Sequence, residues 1–290
     1  LATQSLVTTQ WVADHLDDPD VVLAEVDEDT TLYDTDHIPG AIAFHWREDF
    51  QDPVRRTFVG PRDFAALMER KGVSRDSHVV FYGGNNNWFA AFAFWYFRSY
   101  GHERLSLMDG GRKLWELENR TLTSAPPTRT VTSGYDPPAL NESIRVRRDE
   151  VLERYVGSPD GVALVDVRSP AEYHGEIIAP ERLPQESAMV AGHIPGAQNV
   201  PWEHVVHLET GQFRSADELR ELYADVGATP DREVVTYCRV GERSSLAWFV
   251  LHELLEFPTV RNYDGSWTEY GSLIDVPVSR PAGGDEGGTA

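Results

Sequence analysis

The chain of 290 residues is written twice. HIPGAIAFHW occupies His37 to Trp46, and HIPGAQNVPW occupies His193 to Trp202, an offset of 156 residues. VVFYGG from Val79 answers VVTYCR from Val234, and DGGRKLW from Asp109 answers DGSWTEY from Asp264, both at an offset of 155. Three landmarks in one order at a nearly constant offset identify a duplicated domain. The reading is a first domain over 1–124, a linker over 125–143, a second domain over 144–279 and a tail over 280–290. The linker, APPTRTVTSGYDPPALNE from Ala125 to Glu142, is rich in Pro, Ser and Thr and has no periodicity. The tail is Gly-rich and expected to be disordered.

Each copy alternates short apolar runs with helical patterns. VALVDV and VVTY read as buried strands. SADELRELYADVG reads as an amphipathic helix, with Ser215 as N-cap, Glu218 completing a capping box and Gly227 as the stop. SSLAWFVLHELL and WFAAFAFWYF are apolar nearly all round and read as buried helices. The predicted class is α/β: two repeated domains, each a parallel sheet with helices on both faces. Asp27 to His37 is 10 residues and Asp166 to His193 is 27, which assigns 17 extra residues to the second copy, around HGEIIAPERLPQESAMVA. They follow a strand whose C-terminal end lies on the ligand-binding edge of open α/β sheets. The insertion is read either as the wall of a pocket or as a tolerated surface loop.

Acidic residues number 47 against 26 basic, a net charge of −21. That excludes nucleic acid as the expected partner and disfavours anionic membranes. It is consistent with a solvated acidic surface, in ordinary or high salt. No run reaches the 18 or so apolar residues of a membrane span, and no signal-peptide pattern opens the chain. One cysteine excludes an internal disulfide and a Cys-rich metal site, and fits a reducing, cytoplasmic setting. His204 and His207 have ligand-like spacing but no third partner, so no metal is expected. No dinucleotide fingerprint or P-loop occurs, so no cofactor is expected.

The one cysteine stands in VVTYCRVGERSSLAWF, between a strand and a helix start. A lone Cys is ordinarily a small buried hydrophobe. Here the turn's N–H groups, the helix N-terminus, Arg239 and Arg243 all favour the thiolate, and Gly241 permits an unusual backbone angle. Cys238 is therefore expected to have a lowered pKa and to be a nucleophile. The matching position in the first copy is Gly83, in a loop without arginine, so the first domain is expected to be catalytically silent. The HIPGA histidine recurs in both copies and reads as structural.

Cys238 and Arg243 are separated by four residues, one fewer than in the loop of tyrosine-phosphatase-like enzymes. With CRVGERS, GHIPGA, the DVR of Asp166 to Arg168, and YDGSW, the chain resembles the tandem-domain rhodaneses, the thiosulfate sulfurtransferases. The resemblance covers nearly the whole chain. It implies that Cys238 takes the outer sulfur of thiosulfate as a persulfide, releases sulfite, and passes the sulfur to cyanide or a thiol. It implies a substrate-binding loop of Arg239, Val240, Gly241, Glu242 and Arg243, with Arg243 on the departing sulfite and Arg239 at the rim. Asp166, Arg168, Ser244, Asp264 and Trp267 are the expected supporting residues. Asp166 and Arg168 also read as a purely structural ion pair, and Trp267 as core. Val240 and Glu172 stand where some members carry Lys and Arg. Alternatives are a 3-mercaptopyruvate sulfurtransferase, a phosphatase-like hydrolase and a non-catalytic sulfur-carrying module. Two loop cations favour the thiosulfate dianion, with a Michaelis constant that rises with salt and a larger rate loss in Arg243→Ala than in Arg239→Ala.

Overall fold

The computed structural model describes residues 4–181 and 187–280. Two compact units divide the chain: Leu1–Glu142 with Val206–Ser215, and Ser143–Val205 with Ala216–Ala290.

In the first unit the strands are β1 (Leu6–Val7), β2 (Val21–Asp27), β3 (Ile42–His45), β4 (His78–Tyr82) and β5 (Leu105–Met108). Its helices are α1 (Thr9–Asp14), α2 (Thr31–Thr35), α3 (Pro61–Arg70), α4 (Trp88–Ser99) and α5 (Gly111–Leu117). The sheet order is β1-β5-β4-β2-β3, with every pair parallel. In the second unit α6 (Arg148–Glu150) runs into a π-turn over Val151–Tyr155. It is followed by β6 (Val162–Asp166), α7 (Pro170–Tyr173), β7 (Gln198–Asn199), α8 (Ala216–Ala224), β8 (Glu233–Tyr237), α9 (Glu242–Phe249), β9 (Val260–Tyr263) and α10 (Ser266–Tyr270). That sheet runs β7-β6-β8-β9, again all parallel. The α/β class and the repeated parallel sheets read from the sequence are present. Strands of this kind are buried on both faces, which is why their sequences are continuous apolar runs. Trp88 to Phe97 of α4 are all buried, as a helix apolar on every side requires.

The HIPGA blocks do the same work in both units. His37 exchanges backbone hydrogen bonds with Thr123, at 2.9 and 2.8 Å, and His193 does so with Ser279, both at 2.9 Å. Each ring stacks on a tyrosine, Tyr33 at 4.0 Å and Tyr173 at 3.8 Å, and Nδ1 donates to that tyrosine's carbonyl. The next N–H, of Ile38 or Ile194, donates to the hydroxyl of Tyr82 or Tyr237 at 3.2 Å. These histidines are structural.

The strand register corrects the size of the insertion. Tyr82 pairs with Glu25 and Tyr237 with Asp166, so Glu25, two residues before Asp27, is the counterpart of Asp166. Glu25 to His37 is 12 residues, and the second copy carries 15 extra residues rather than 17. Asp27 then stands where Arg168 stands. Residues 182–186 of the insertion lie outside the described residues. Its far end is stitched to α10: the N–H groups of Met189 and Val190 both donate to the Gly271 carbonyl at 3.1 Å. Ala188 is buried in the core of the second unit.

Residues 125–143, read as a linker, lie against the first unit without helix or strand until a 3-10 turn at Glu142–Ile144. Thr132 donates its N–H to Glu69 and its hydroxyl to Val73, and the buried Tyr135 hydroxyl lies 2.8 Å from His102 Nδ1. Residues 206–215 lie within the stretch read as the second domain. They form a hairpin, bridged between Val206 and Phe213, that belongs to the first unit. Phe213 N–H donates to Asp109 Oδ1 at 2.9 Å, and the Lys113 ammonium donates to the Leu208 carbonyl. The tail from 281 onward lies outside the described residues. No described helix is long and apolar enough to cross a membrane.

Candidate active site

Cys238 follows the last residue of β8, at the edge where parallel sheets bind ligands. Its N–H donates to Ser266 Oγ at 3.0 Å, and its carbonyl accepts from Trp267 N–H at 3.0 Å. The turn to α9 takes three residues, Arg239, Val240 and Gly241. Gly241 has φ +99°. A Cβ there would also lie 3.0 Å from both Cα and O of Asp264. Glycine is required twice over, for its angle and for the close approach of Asp264. The turn places the Gly241 N–H 3.2 Å from Cys238 Sγ. Asp264 is itself clamped by Arg145 through two bonds of 2.9 and 2.7 Å.

The expected low thiol pKa is not what this geometry produces. Cys238 is fully buried, and burial pushes its thiol up, with the Glu242 carboxylate adding to the effect. Arg243 and the Ser244 hydroxyl and N–H pull the other way and only in part. Cations near the sulfur are visible along the chain, but the desolvation of a negative sulfur is the larger quantity here.

Arg243 is also placed differently. Its two Nη atoms lie on the Glu172 carboxylate at 3.0 and 3.1 Å, and its Nε is 3.5 Å from Glu242 Oε1. Both members of the bidentate pair are buried. Burial opposes ionisation of Glu172, yet Arg243, Arg168 and the Ser169 N–H hold its carboxyl below the usual range. The residue that breaks the family's Arg pattern is thus the partner of the loop arginine. Arg239, expected at the rim, is 3% exposed. Its carbonyl accepts from Thr268 N–H at 3.0 Å. Val240 is buried beside it. Ser244 donates its hydroxyl to the Gly241 carbonyl at 3.1 Å and so braces the turn.

Asp166 and Arg168 form a wholly buried bidentate pair, and Arg168 also donates to the Gly192 carbonyl at 2.8 Å. The guanidinium lies 4.7 Å from the Trp267 ring centre. Trp267 Nε1 donates to the Val190 carbonyl at 3.0 Å. Trp267 therefore joins Arg168, the insertion and the Cys238 carbonyl. Sequence reasoning missed Glu172 as a partner and Ser266 as the acceptor for Cys238 N–H. Ser266 lies inside the quoted DGSW block, and its φ of +52° marks a special turn that sequence alone does not show.

The equivalent turn of the first unit has Gly83 and Gly84, then Asn85, Asn86 and Asn87, the three asparagines all with positive φ. Two of its N–H groups are bound within the unit: Gly84 donates to Asp27 Oδ2 and Gly83 to Asn87 Oδ1, each at 3.0 Å. Asp27, buried, has its carboxyl pushed up to about 7 by desolvation.

The match of a Rhodanese-like domain to residues 8–118 and again to 149–273 fits this doubled architecture. The chain belongs to the rhodanese family of sulfurtransferases. Among similar rhodaneses, a protein of Saccharopolyspora erythraea provisionally named a thiosulfate sulfurtransferase is 52% identical over 276 residues, covering 95% of this chain and 96% of that one. The sulfur carrier protein TtuD of Thermus thermophilus is 53% identical over 280 residues, with the same coverage. Among solved structures, SseA of Escherichia coli, described under 3-mercaptopyruvate sulfotransferases, is 27% identical with a TM-score of 0.76. It covers 91% of this rhodanese and 99% of its own chain. An anaerobic ergothioneine biosynthesis enzyme of Chlorobium limicola, 22% identical, shares the fold at a TM-score of 0.82 over 95% of this chain and 70% of its own.

Proposed function

We propose that this chain transfers the outer sulfur of thiosulfate to cyanide or a thiol through a persulfide on Cys238, releasing sulfite. The carrying observation is the Gly241 N–H 3.2 Å from Sγ. A fixed backbone donor beside the sulfur stabilises negative charge as it develops there and needs no reorganisation. The turn residues 239 to 243 bind the donor through their N–H groups at the start of α9. Their side chains contribute less, since Arg243 is held by Glu172. Asp166, Arg168, Ser244, Asp264 and Trp267 hold the turn in place. The relatives named for thiosulfate support the donor, and the sulfur-carrier relative fits a protein that holds sulfur as a persulfide. A lone thiol that must stay reduced between turnovers fits the cytoplasm.

The charge argument for thiosulfate changes with the geometry. Arg239 and Arg243 in the turn are matched by Glu172 and Glu242, so the chain's net −21 dominates at a distance. Salt screens that repulsion of a dianion. The Michaelis constant for thiosulfate is expected to fall, not rise, between about 10 and 150 mM salt, where the Debye length shrinks from about 30 to 8 Å. Catalytic efficiency is expected to be higher with thiosulfate than with 3-mercaptopyruvate. Steady-state thiocyanate formation with both donors at both ionic strengths tests this. A clear preference for mercaptopyruvate overturns the donor assignment and leaves the persulfide step standing.

The first unit takes no part in the chemistry. Restoring a thiol there does not restore a site, because a Cβ on Gly83 would lie 2.4 Å from the Val26 carbonyl, and 3.4 Å from both oxygens of Asp27. Gly83→Cys in a Cys238→Ser background is expected to yield no sulfur adduct and to lose about 1–3 kcal/mol of stability from overpacking. Mass spectrometry after thiosulfate treatment, with a denaturation curve, reads both. A thiosulfate-dependent adduct on the thiol introduced by Gly83→Cys would contradict the assignment.

A further inference from the structure

We infer that Glu242 is the proton acceptor for the Cys238 thiol, and its later proton donor, a role that rests on the persulfide reading above. Glu242 Oε2 lies 3.4 Å from Cys238 Sγ, within reach of an S–H···O bond. The thiol is fully buried and Glu242 is 1% exposed. The other oxygen, Oε1, lies 3.5 Å from Arg243 Nε, and Arg243 is fixed in turn by Glu172. The carboxylate is therefore held by one oxygen and presented to sulfur by the other. Charged groups near it include Arg239 and Arg243 on its own turn and Glu172 of α7, which Arg243 and Arg168 hold.

Two physical arguments support the role. A buried thiol that rests protonated needs a base before it attacks, and the carboxylate is the base in contact with it. A carboxylate is also the wrong group for a cradle that only binds a dianion, because it repels one. It becomes suitable if it takes a proton as the dianion reacts.

The step balances without any added reagent. The thiol proton passes to Glu242 Oε2 while the Sγ lone pair forms a bond to the outer sulfur of thiosulfate. The S–S bond of thiosulfate breaks, and its electron pair leaves with sulfite. The site then holds a persulfide anion and a neutral Glu242. When cyanide ion takes the outer sulfur, the electron pair of the broken bond returns to Sγ, and Glu242 gives the proton back. One proton shuttles between the two residues, and none is taken up or released over the cycle.

The experiment is rapid-quench persulfide formation from thiosulfate in the unaltered protein and in E242Q, across pH, with the mass of the adduct as readout. The same proteins are alkylated with iodoacetamide to report the thiolate fraction. E242Q is expected to form persulfide about a hundredfold more slowly at neutral pH. Its rate should then climb about tenfold per pH unit toward that of the unaltered protein, whose rate changes little over the same range. Alkylation should be faster in E242Q at neutral pH, because the substitution removes a charge that holds the thiol up. A purely repulsive or structural Glu242 would not separate the two readouts: repulsion alone makes E242Q faster in both. Equal or faster persulfide formation in E242Q overturns the inference alone. If the unaltered protein forms no adduct, the thiosulfate reading falls, and the proton role with it. Should E242Q fail to fold, E242D keeps the charge but withdraws the oxygen by one methylene. It is expected to show the same neutral-pH loss and the same climb, and a rate equal to the unaltered protein's again overturns the role.

Discussion

Cys238→Ser is expected to abolish sulfur transfer while leaving the fold intact. Loss of a catalytic nucleophile lowers turnover by about 10⁴-fold or more, and no other thiol exists in the chain to substitute for it. Serine keeps the backbone bond to Ser266 and the turn set by Gly241, so the local structure has no reason to change. Its hydroxyl cannot hold sulfur in a cyanide-labile bond. The measurements are thiocyanate formation and the intact mass after thiosulfate. Persistence of either a cyanide-labile sulfur adduct or turnover in the serine variant would remove the basis of the proposed function.

Arg243→Ala is expected to act first on stability. Removing one partner of a buried ion pair costs about 3–5 kcal/mol, since the other is left charged and dehydrated. Here the abandoned partner is Glu172, which is 0% exposed. Replacing both with apolar residues of similar size, as in Arg243→Met with Glu172→Leu, is expected to restore most of that loss. The pH dependence has a definite sign. In the unaltered protein the Glu172 carboxyl is held below its ordinary 4.5, so its stabilisation is present at neutral pH and disappears as pH falls through the folded pKa. In Arg243→Ala the desolvated carboxyl should titrate above its ordinary value, so the deficit shrinks on mild acidification. Urea denaturation at neutral and mildly acidic pH, on both single variants and the double, measures each quantity. A single-variant loss below about 1 kcal/mol, the range of an exposed pair, would show that the pair does not hold the turn. A loss of the expected size would attribute the larger rate effect of Arg243 over Arg239 to a displaced turn and not to a lost contact with sulfite.

The parts of this molecule that sequence exposes are those whose causes are local. The HIPGA blocks are visible because each of their histidines makes the same contacts in both copies, stacking on Tyr33 or Tyr173, so the block itself is kept even where an insertion separates it from its tyrosine. The buried strands are visible because burial on both faces forces VALVDV and VVTY to be apolar almost throughout. Gly241 is legible because a strand-to-helix turn this tight demands it. What sequence does not carry is partnership across long separations. Glu172 and Arg243 are 71 residues apart, and Glu172 reads as a departure from a pattern until its partner is placed. The thiol pKa escapes sequence for the same reason: cations beside Cys238 are visible along the chain, whereas its burial depends on neighbours such as Ser266, 28 residues on. Aligning Asp27 with Asp166 fails because both strands end in an acidic residue near the same place, and only register distinguishes Glu25 from Asp27 as the mate of Asp166.

The hairpin of residues 206–215 has a consequence for how such a protein can change over generations. A duplicated gene normally frees one copy, which can decay, be deleted or be recombined elsewhere while the other persists. Here the first unit is completed by a segment encoded within the second copy, whose Phe213 N–H serves Asp109 and whose Leu208 carbonyl serves Lys113. Deleting the second copy would strip the first of part of its own body. Deleting the first would leave the second with an unpaired hairpin. A first unit that includes a segment of the second copy cannot be separated from it without loss, and the pair is inherited as one object.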